Sequence, residues 1–197
     1  MVTGVQTCSS DLATLASASV FLETLEPSCT EVTFQSRSGP LIVYRRDELL
    51  AMDFPASPPR PFKPPPALIE ALGAHAHTWM KGIYAMAVFD DEESVLALQP
   101  DFPALAALEP VVATAPGREA DFVSRFFAPS HGVNEDPVTG SSHCTLTPYW
   151  SKRLGRDRLS ARQVSARGGE LLCEAAGERV IIAGRTARYL EGYIKLA

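Results

Sequence analysis

The stretch from Gly132 to Cys144 reads Gly-Val-Asn-Glu-Asp-Pro-Val-Thr-Gly-Ser-Ser-His-Cys and holds the densest group of functional side chains in the chain. Apolar residues at helical spacing follow this stretch directly. The sequence therefore predicts a loop that leads into a helix from about Ser141 to Leu154, which ends at Gly155. The first N–H groups of a helix have no partner within it, and together with the helix dipole they favour an anion. We therefore predict a site for a carboxylate or an enolate at this helix start.

Six residues of this stretch are candidate site residues. The catalytic candidates are Asp136 and Ser141, and the substrate-binding candidates are Glu135, Thr139, Gly140 and Ser142. The carboxyl groups can transfer or steer a proton, the hydroxyls can donate hydrogen bonds, and the glycine lets a ligand approach the backbone. The same residue types are also typical of a turn followed by a Ser or Thr helix cap. From the residues alone, both interpretations stay open.

Composition excludes several classes of protein. The 197 residues carry 23 acidic and 18 basic side chains, a formal charge of −5, and so lack the basic surface that nucleic acid or an anionic membrane requires. We find no secretory signal and no apolar run long enough to span a bilayer, which predicts a cytoplasmic protein. The four cysteines are too widely spaced for a metal pair, and His75 and His77 lack a third ligand nearby, so no metal is predicted.

Periodicity predicts an α+β chain in two parts. The first part has a helix over 12–26 and strands near 31–37, 41–46 and 49–54. Seven of the twelve residues from Pro55 to Pro66 are proline, which indicates a boundary, and we divide the chain into 1–64 and 65–197. Besides the helix at 141–154, the second part has a short helix at 66–73 and strands near 81–89, 94–98, 110–115, 121–127, 162–167, 170–175, 179–183 and 187–195.

Several motifs together resemble one family. The run from Glu135 to Cys144, with Asp-Phe-Val-Ser-Arg-Phe-Phe-Ala-Pro at 121–129 and Pro-Tyr-Trp at 148–150, resembles the C-terminal half of the phenazine-biosynthesis-like (PhzF-like) isomerase family. Ala-Arg-Gln-Val-Ser-Ala-Arg-Gly-Gly at 161–169 is similar to the closing motif of that family. Weaker similarities lie at 36–39, 52–56 and 100–102, so the resemblance extends from about Ala13 to the end.

The resemblance implies a diaminopimelate-epimerase-like fold, in which two similar lobes each wrap a β-barrel-like sheet around a central helix. It implies a cofactor-independent proton shift next to the carboxylate of a small metabolite, and a possible homodimer. Asp136 resembles the active-site aspartate of the family, and Gly140 with Ser141 resembles the groups that contact substrate. Thr139 stands where related epimerases have a cysteine.

The beginning of the chain departs from the family pattern. Members of the family have a segment ahead of the helix at 12–26 that carries the principal acid/base glutamate and a Gly-His pair, whereas this chain has Asp11-Leu12 at the place of that pair. Residues 1–12 resemble nothing in the family and are expected to be non-native. We therefore expect a truncated chain whose first lobe is incomplete, whose last strand returns to that lobe, and which has little activity. The alternative is a noncatalytic relative that binds small carboxylates or acts as a scaffold.

Overall fold

The computed structural model describes residues 10–36, 39–188, 190 and 192, with side chains from Ala13 onward. Its helices are α1 (Ser10–Val20), α2 (Pro66–Leu72), α3 (Glu92–Leu96), α4 (Phe102–Leu105) and α5 (Gly140–Leu154). Its strands are β1 (Glu31–Ser36), β2 (Gly39–Arg46), β3 (Leu49–Pro55), β4 (Arg60–Pro61), β5 (Thr78–Lys81), β6 (Ala85–Val88), β7 (Val111–Pro116), β8 (Phe122–Ala128), β9 (Val133–Asp136), β10 (Arg158–Gln163), β11 (Gly169–Ala176) and β12 (Arg179–Gly184). The prediction of an α+β chain is confirmed.

The described strands form one mixed sheet in the order β1-β2-β3-β12-β11-β10-β8-β7-β6-β5-β4, with β9 paired to β8 beside this path. The pairs β10–β8 and β6–β7 are parallel, and the other pairs are antiparallel. Strand β12 lies antiparallel to β3, with Ile182 opposite Met52. A strand from the second part of the chain therefore continues the meander of the first, while the division at residue 64 stays a prediction.

Two apolar cores lie on the two faces of the central strands. Phe122 and Phe126 pack with Trp150 of α5 in one core, whereas Val123 and Phe127 pack in the other. Neighbouring residues of a strand point to opposite faces, which explains this division. The second core is covered by α2, α3 and α4, so strands β6 to β8 are buried on both sides and consist mostly of apolar residues.

Helix α5 is held against the proline-rich crossover by a backbone hydrogen bond. Pro148 lies inside α5 and has no N–H, so the carbonyl of Cys144 loses its usual partner within the helix. The N–H of Ser57 donates to that carbonyl at 2.9 Å. At Gly82 an added Cβ would lie only 2.4 Å from Thr145 Oγ1, so the chain between β5 and β6 approaches α5 too closely for any side chain. These contacts position the helix that opens the candidate site.

Two predicted strands are wrong in detail. Residues 94–96 of the run at 94–98 are helical, because the carboxylate of Asp91 accepts the N–H of Ser94 at 2.8 Å and caps α3, with Glu92 and Glu93 in its first turn. Of the run at 81–89, residue 81 ends β5, residues 82–84 form a bend, and residues 85–88 form β6.

The remaining predicted elements lie close to the observed ones. The helix predicted at 12–26 is α1 followed by a π-helical turn at Phe21–Leu25, and the strand predicted at 162–167 begins four residues earlier, as β10. Of the strand predicted at 187–195, only residues 187, 188, 190 and 192 are described, and they are not in a strand. Most of the segment expected to be non-native, residues 1–9, lies outside the described residues.

Candidate active site

Asp136 ends β9 opposite Phe126 of β8, and its carboxyl group is turned toward the start of α5. The residue is 2% exposed, and Thr139 Oγ1 donates to Asp136 Oδ2 at 2.5 Å. Burial raises the pKa of this carboxyl group, and the hydrogen bond from Thr139 opposes that rise with a smaller effect. A carboxyl group with a raised pKa can give and take a proton nearer to neutral pH.

The side chain of Gln163, at the end of β10, forms hydrogen bonds with both ends of the loop that leads into α5. Its Oε1 accepts the N–H of Thr139 at 2.9 Å, and its Nε2 donates to the carbonyl of Asp136 at 2.7 Å and to Thr139 Oγ1 at 3.1 Å. The side chain is 1% exposed, so these bonds replace water that the amide has lost. The loop therefore has one set conformation between Asp136 and the helix.

Thr139 is the N-cap residue of α5, but its side chain makes no hydrogen bond to the first N–H groups of the helix. The alternative interpretation, a turn with a Ser or Thr cap, thus has the cap residue in place without its hydrogen bond, and the Thr139 hydroxyl donates to Asp136 instead. Gly140 and Ser141 follow at the first two helical positions. The hydroxyl of Ser141 lies 3.3 Å from Tyr84 Oη, whereas the hydroxyl of Ser142 donates to the carbonyl of Thr139 at 2.9 Å within the helix.

His143 is fully buried beneath the helix start, next to the ring of Phe122. Burial lowers its pKa to about 4, so the imidazole is neutral at pH 7. A carbonyl only accepts hydrogen bonds, so Nδ1, at 2.7 Å from the carbonyl of Thr139, carries the proton. Among the described residues, Nε2 has no hydrogen-bond partner. His143 is thus a neutral hydrogen-bond donor that stabilises the turn at the candidate site.

A groove of about 770 Å³ borders this helix start. Val138 and Gly140 line it on the motif side, and Leu15, Met52 and Ile182 contribute apolar wall. Its charged lining residues are Asp47, Glu48, Glu119, Glu170, Arg162 and Arg185. The volume lies within the range of clefts that bind small ligands. Asp136 and Thr139 are buried and do not line the groove themselves.

Comparison with known proteins identifies the family. Residues 11–192 match the family described as phenazine biosynthesis-like protein. The chain is 48% identical over 186 residues to an uncharacterized isomerase of Pseudomonas aeruginosa, which corresponds to 93% of this chain and 72% of that relative. This chain belongs to the phenazine biosynthesis-like family. The resemblance read from the motif is thus confirmed, and isomerase is the class that the named relatives support.

Solved structures confirm the fold of this phenazine biosynthesis-like chain. A PhzC/PhzF protein of Clostridium difficile superposes with a TM-score of 0.87 at 34% identity, over 93% of this chain and 72% of that one. A PhzF-family protein of Enterococcus faecalis superposes with a TM-score of 0.83 at 44% identity, over 87% and 67% of the two chains. A predicted epimerase of Pseudomonas aeruginosa, at 16% identity and a TM-score of 0.51, is similar in fold alone. The diaminopimelate-epimerase-like fold is therefore shown.

The structure does not bring Glu135 together with the other candidate residues. As the neighbour of Asp136 on β9, it points to the opposite face, where Arg125 donates from Nε and Nη2 to its two oxygens at 2.7 and 2.9 Å. Nη1 of Arg125 also donates to the carbonyls of Val95 and Leu98 at the end of α3. The Glu135 carboxylate is thus part of a clamp between β8, β9 and α3.

Sequence reasoning missed two residues near the helix start in this phenazine biosynthesis-like chain. Gln163 lay within the quoted motif at 161–169, and the available signal was its place two and four residues after Ala161 and Leu159, on the inward face of an alternating strand. Tyr84 was counted as one apolar position of a strand. In the described ranges 10–36 and 39–188, no three His, Cys, Asp or Glu side chains gather in a metal-binding cluster. Within the same ranges, no helix has the length and hydropathy needed to cross a bilayer.

Proposed function

We propose that this chain is a cofactor-independent isomerase or epimerase that moves a proton next to the carboxylate of a small metabolite. Asp136 transfers the proton. The N–H groups at the start of α5 and the hydroxyl of Ser141 bind the charge that develops on the substrate. The observation that carries this proposal is the buried Asp136 carboxyl group, held by Thr139 at the opening of a helix that borders a groove.

The proposed reaction requires the proton-transfer group and the N–H donors at the helix start to lie side by side. Removal of a proton from carbon next to a carboxylate builds negative charge on oxygen, and preoriented N–H donors stabilise that charge most in the transition state. The charged groups of the groove comprise four carboxylates and two guanidinium groups, so their net charge repels an acidic ligand. The partial positive charge of the helix start, where Gly140 lines the groove, favours a carboxylate at that end.

The proposal is tested by exchange in D₂O. Small carboxylates with a hydrogen on the adjacent carbon are incubated with the protein, and the loss of that C–H signal is followed by proton NMR. We expect Asp136→Asn to slow exchange by about 10²- to 10⁴-fold, the usual contribution of a general acid/base group. Asp90→Asn, a change at a carboxylate that is 79% exposed, is the matched control and leaves exchange unchanged. Equal exchange by the wild type and Asp136→Asn contradicts the assignment.

We expect the 197-residue chain by itself to exchange slowly. A proton shift between two carbon positions or faces is assisted by a second acid/base group, and the four carboxylates that line the groove are all exposed to water, unlike Asp136. The Pseudomonas aeruginosa isomerase that is 48% identical serves as the comparison enzyme. Exchange by both proteins at similar rates would overturn this expectation.

The second candidate is a protein that binds small carboxylates without converting them. The near-complete burial of Asp136, at 2% exposure, favours it because a reacting group must reach its substrate. Thermal stabilisation by a carboxylate with no C–H exchange in either protein supports this candidate over the isomerase.

A further inference from the structure

The buried amide of Gln163 has one possible orientation. The N–H of Thr139 can only donate, so Oε1 of Gln163 must face it, as observed at 2.9 Å. The carbonyl of Asp136 can only accept, so Nε2 must face it, as observed at 2.7 Å. A flipped amide would oppose a donor to a donor and an acceptor to an acceptor, each in a buried place. Gln163 is therefore oriented by two backbone groups of the loop.

The orientation of the Gln163 amide determines which group donates in the hydrogen bond between Thr139 and Asp136. Nε2 of Gln163 also donates to Thr139 Oγ1 at 3.1 Å, so the Thr139 hydroxyl already accepts. Its single proton is left for Asp136 Oδ2 at 2.5 Å. Oδ2 is consequently an acceptor, and the proton that this carboxyl group takes up or releases is carried by Oδ1.

Gln163 and Asp136 stand on two strands that both pair with β8. Gln163 lies opposite Ser124 in the parallel β10–β8 pair, and Asp136 lies opposite Phe126 in the β9–β8 pair. Ser124 and Phe126 point to the same face of β8, two residues apart. The network therefore rests on a rigid sheet, which holds a functional group more accurately than a loop does.

We propose that Gln163 is a positioning residue that, through the hydroxyl of Thr139, directs the exchangeable proton of Asp136 to Oδ1. The inference rests on the proposed function, because it specifies which carboxyl oxygen serves the substrate. Gln163 itself does not touch the substrate. By donating to the Thr139 hydroxyl, it favours the arrangement in which that hydroxyl gives its own proton to Asp136 Oδ2, and it disfavours the arrangement in which the neutral acid carries its proton on Oδ2.

The test is an NMR titration of the Asp136 carboxyl carbon in protein labelled with ¹³C-aspartate, without substrate. In Gln163→Met the Thr139 hydroxyl is free to accept from the neutral acid, so we expect the Asp136 pKa to rise. In Gln163→Glu the new carboxylate takes the Thr139 proton and adds a like charge, so the pKa rises further. Gln163→Glu keeps the side-chain volume and an acceptor for the Thr139 N–H. It therefore tests the inference even if Gln163→Met does not fold. Gln99→Met, at an exposed site, is the control and leaves the titration unchanged.

The decisive experiment repeats the Gln163→Met substitution in a protein that already carries Thr139→Val. If Gln163 acts through the Thr139 hydroxyl, then Gln163→Met produces no further shift in a chain that already carries Thr139→Val. The pH profile of C–H exchange moves with the same titration, and exchange at pH 7 falls by about ten- to a hundredfold in Gln163→Met. An unchanged Asp136 titration in folded Gln163→Met, or an equal shift in the Thr139→Val background, overturns the inference. Because the titration needs no turnover, a missing exchange reaction in every variant refutes the proposed function and leaves the positioning result standing.

Discussion

The Arg125–Glu135 clamp gives a prediction that separates a structural from a substrate-binding role for Glu135. The two side chains are 12% and 18% exposed, and the guanidinium makes two hydrogen bonds to the carboxylate at 2.7 and 2.9 Å. Arg125→Met leaves the Glu135 carboxylate buried without its cation. Breaking a buried pair costs about 3–5 kcal/mol, and partial exposure reduces the expected loss of unfolding free energy here to about 2–4 kcal/mol.

The effect is measured by urea unfolding, followed by tryptophan fluorescence. With a slope of about 2–3 kcal/mol per M, the midpoint falls by about 1 M. Removing both charges, by Arg125→Met with Glu135→Leu, restores the part of this loss that comes from the unpaired charge, whereas the carbonyls of Val95 and Leu98 still lack the donor that Arg125 supplied. Arg162→Met is the matched control, since Arg162 is 41% and its partner Glu119 80% exposed. It changes the unfolding free energy by less than about 0.5 kcal/mol.

Two results would refute this reasoning. One is a stability of Arg125→Met within 0.5 kcal/mol of the wild type, which is the size expected of an exposed pair. The other comes from Glu135→Gln, which keeps the shape of the side chain and one acceptor for Arg125. If this variant retained its stability but lost carboxylate binding, Glu135 would belong to the substrate site, as the sequence suggested.

Three further perturbations follow from single contacts. Gly82→Ala places a Cβ 2.4 Å from a side chain of α5 and lowers the unfolding free energy by about 1–3 kcal/mol, whereas Gly184→Ala, with 3.8 Å of room, serves as its control in the same urea assay. Gly169→Ala places a Cβ 2.2 Å from Val138 Cγ2 at the groove wall, so calorimetry should show weaker carboxylate binding that Val138→Ala restores. His143 binds a proton at about pH 4 when folded and 6.5 when unfolded, so the unfolded state holds more protons in between. Stability therefore falls by about 3 kcal/mol from pH 7 to pH 4, and His143→Asn flattens this slope in pH-dependent unfolding.

The helix start was predictable because its determinants are local. A glycine, two serines and the following apolar spacing set the position of α5 to within one residue. The same holds for the meander of β1 to β3, whose turns and alternation lie within a few residues of each other. The helix at 92–96 was missed because an aspartate cap outweighed the four apolar residues of the run 95–98 that suggested a strand.

The role of each carboxyl group could not be read from the chain. Glu135 and Asp136 are neighbours of the same chemistry, and strand geometry sends them to opposite faces. Which face meets α5 depends on the register of β9 against β8, with Phe126 opposite Asp136. That register arises from packing between segments that the sequence alone does not place together.

The sequence by itself determined the family, the α+β class and the helix whose first turn opens beside Asp136, because these depend on motif identity and short-range spacing. The tertiary structure alone decided that Arg125 holds Glu135 and that Gln163 directs the hydroxyl of Thr139 toward Asp136. The partners in the Gln163 network lie 24 and 27 residues apart and meet only when β8, β9 and β10 pair. Hydrogen-bond direction is a property of the assembled neighbours, so no local pattern encodes it.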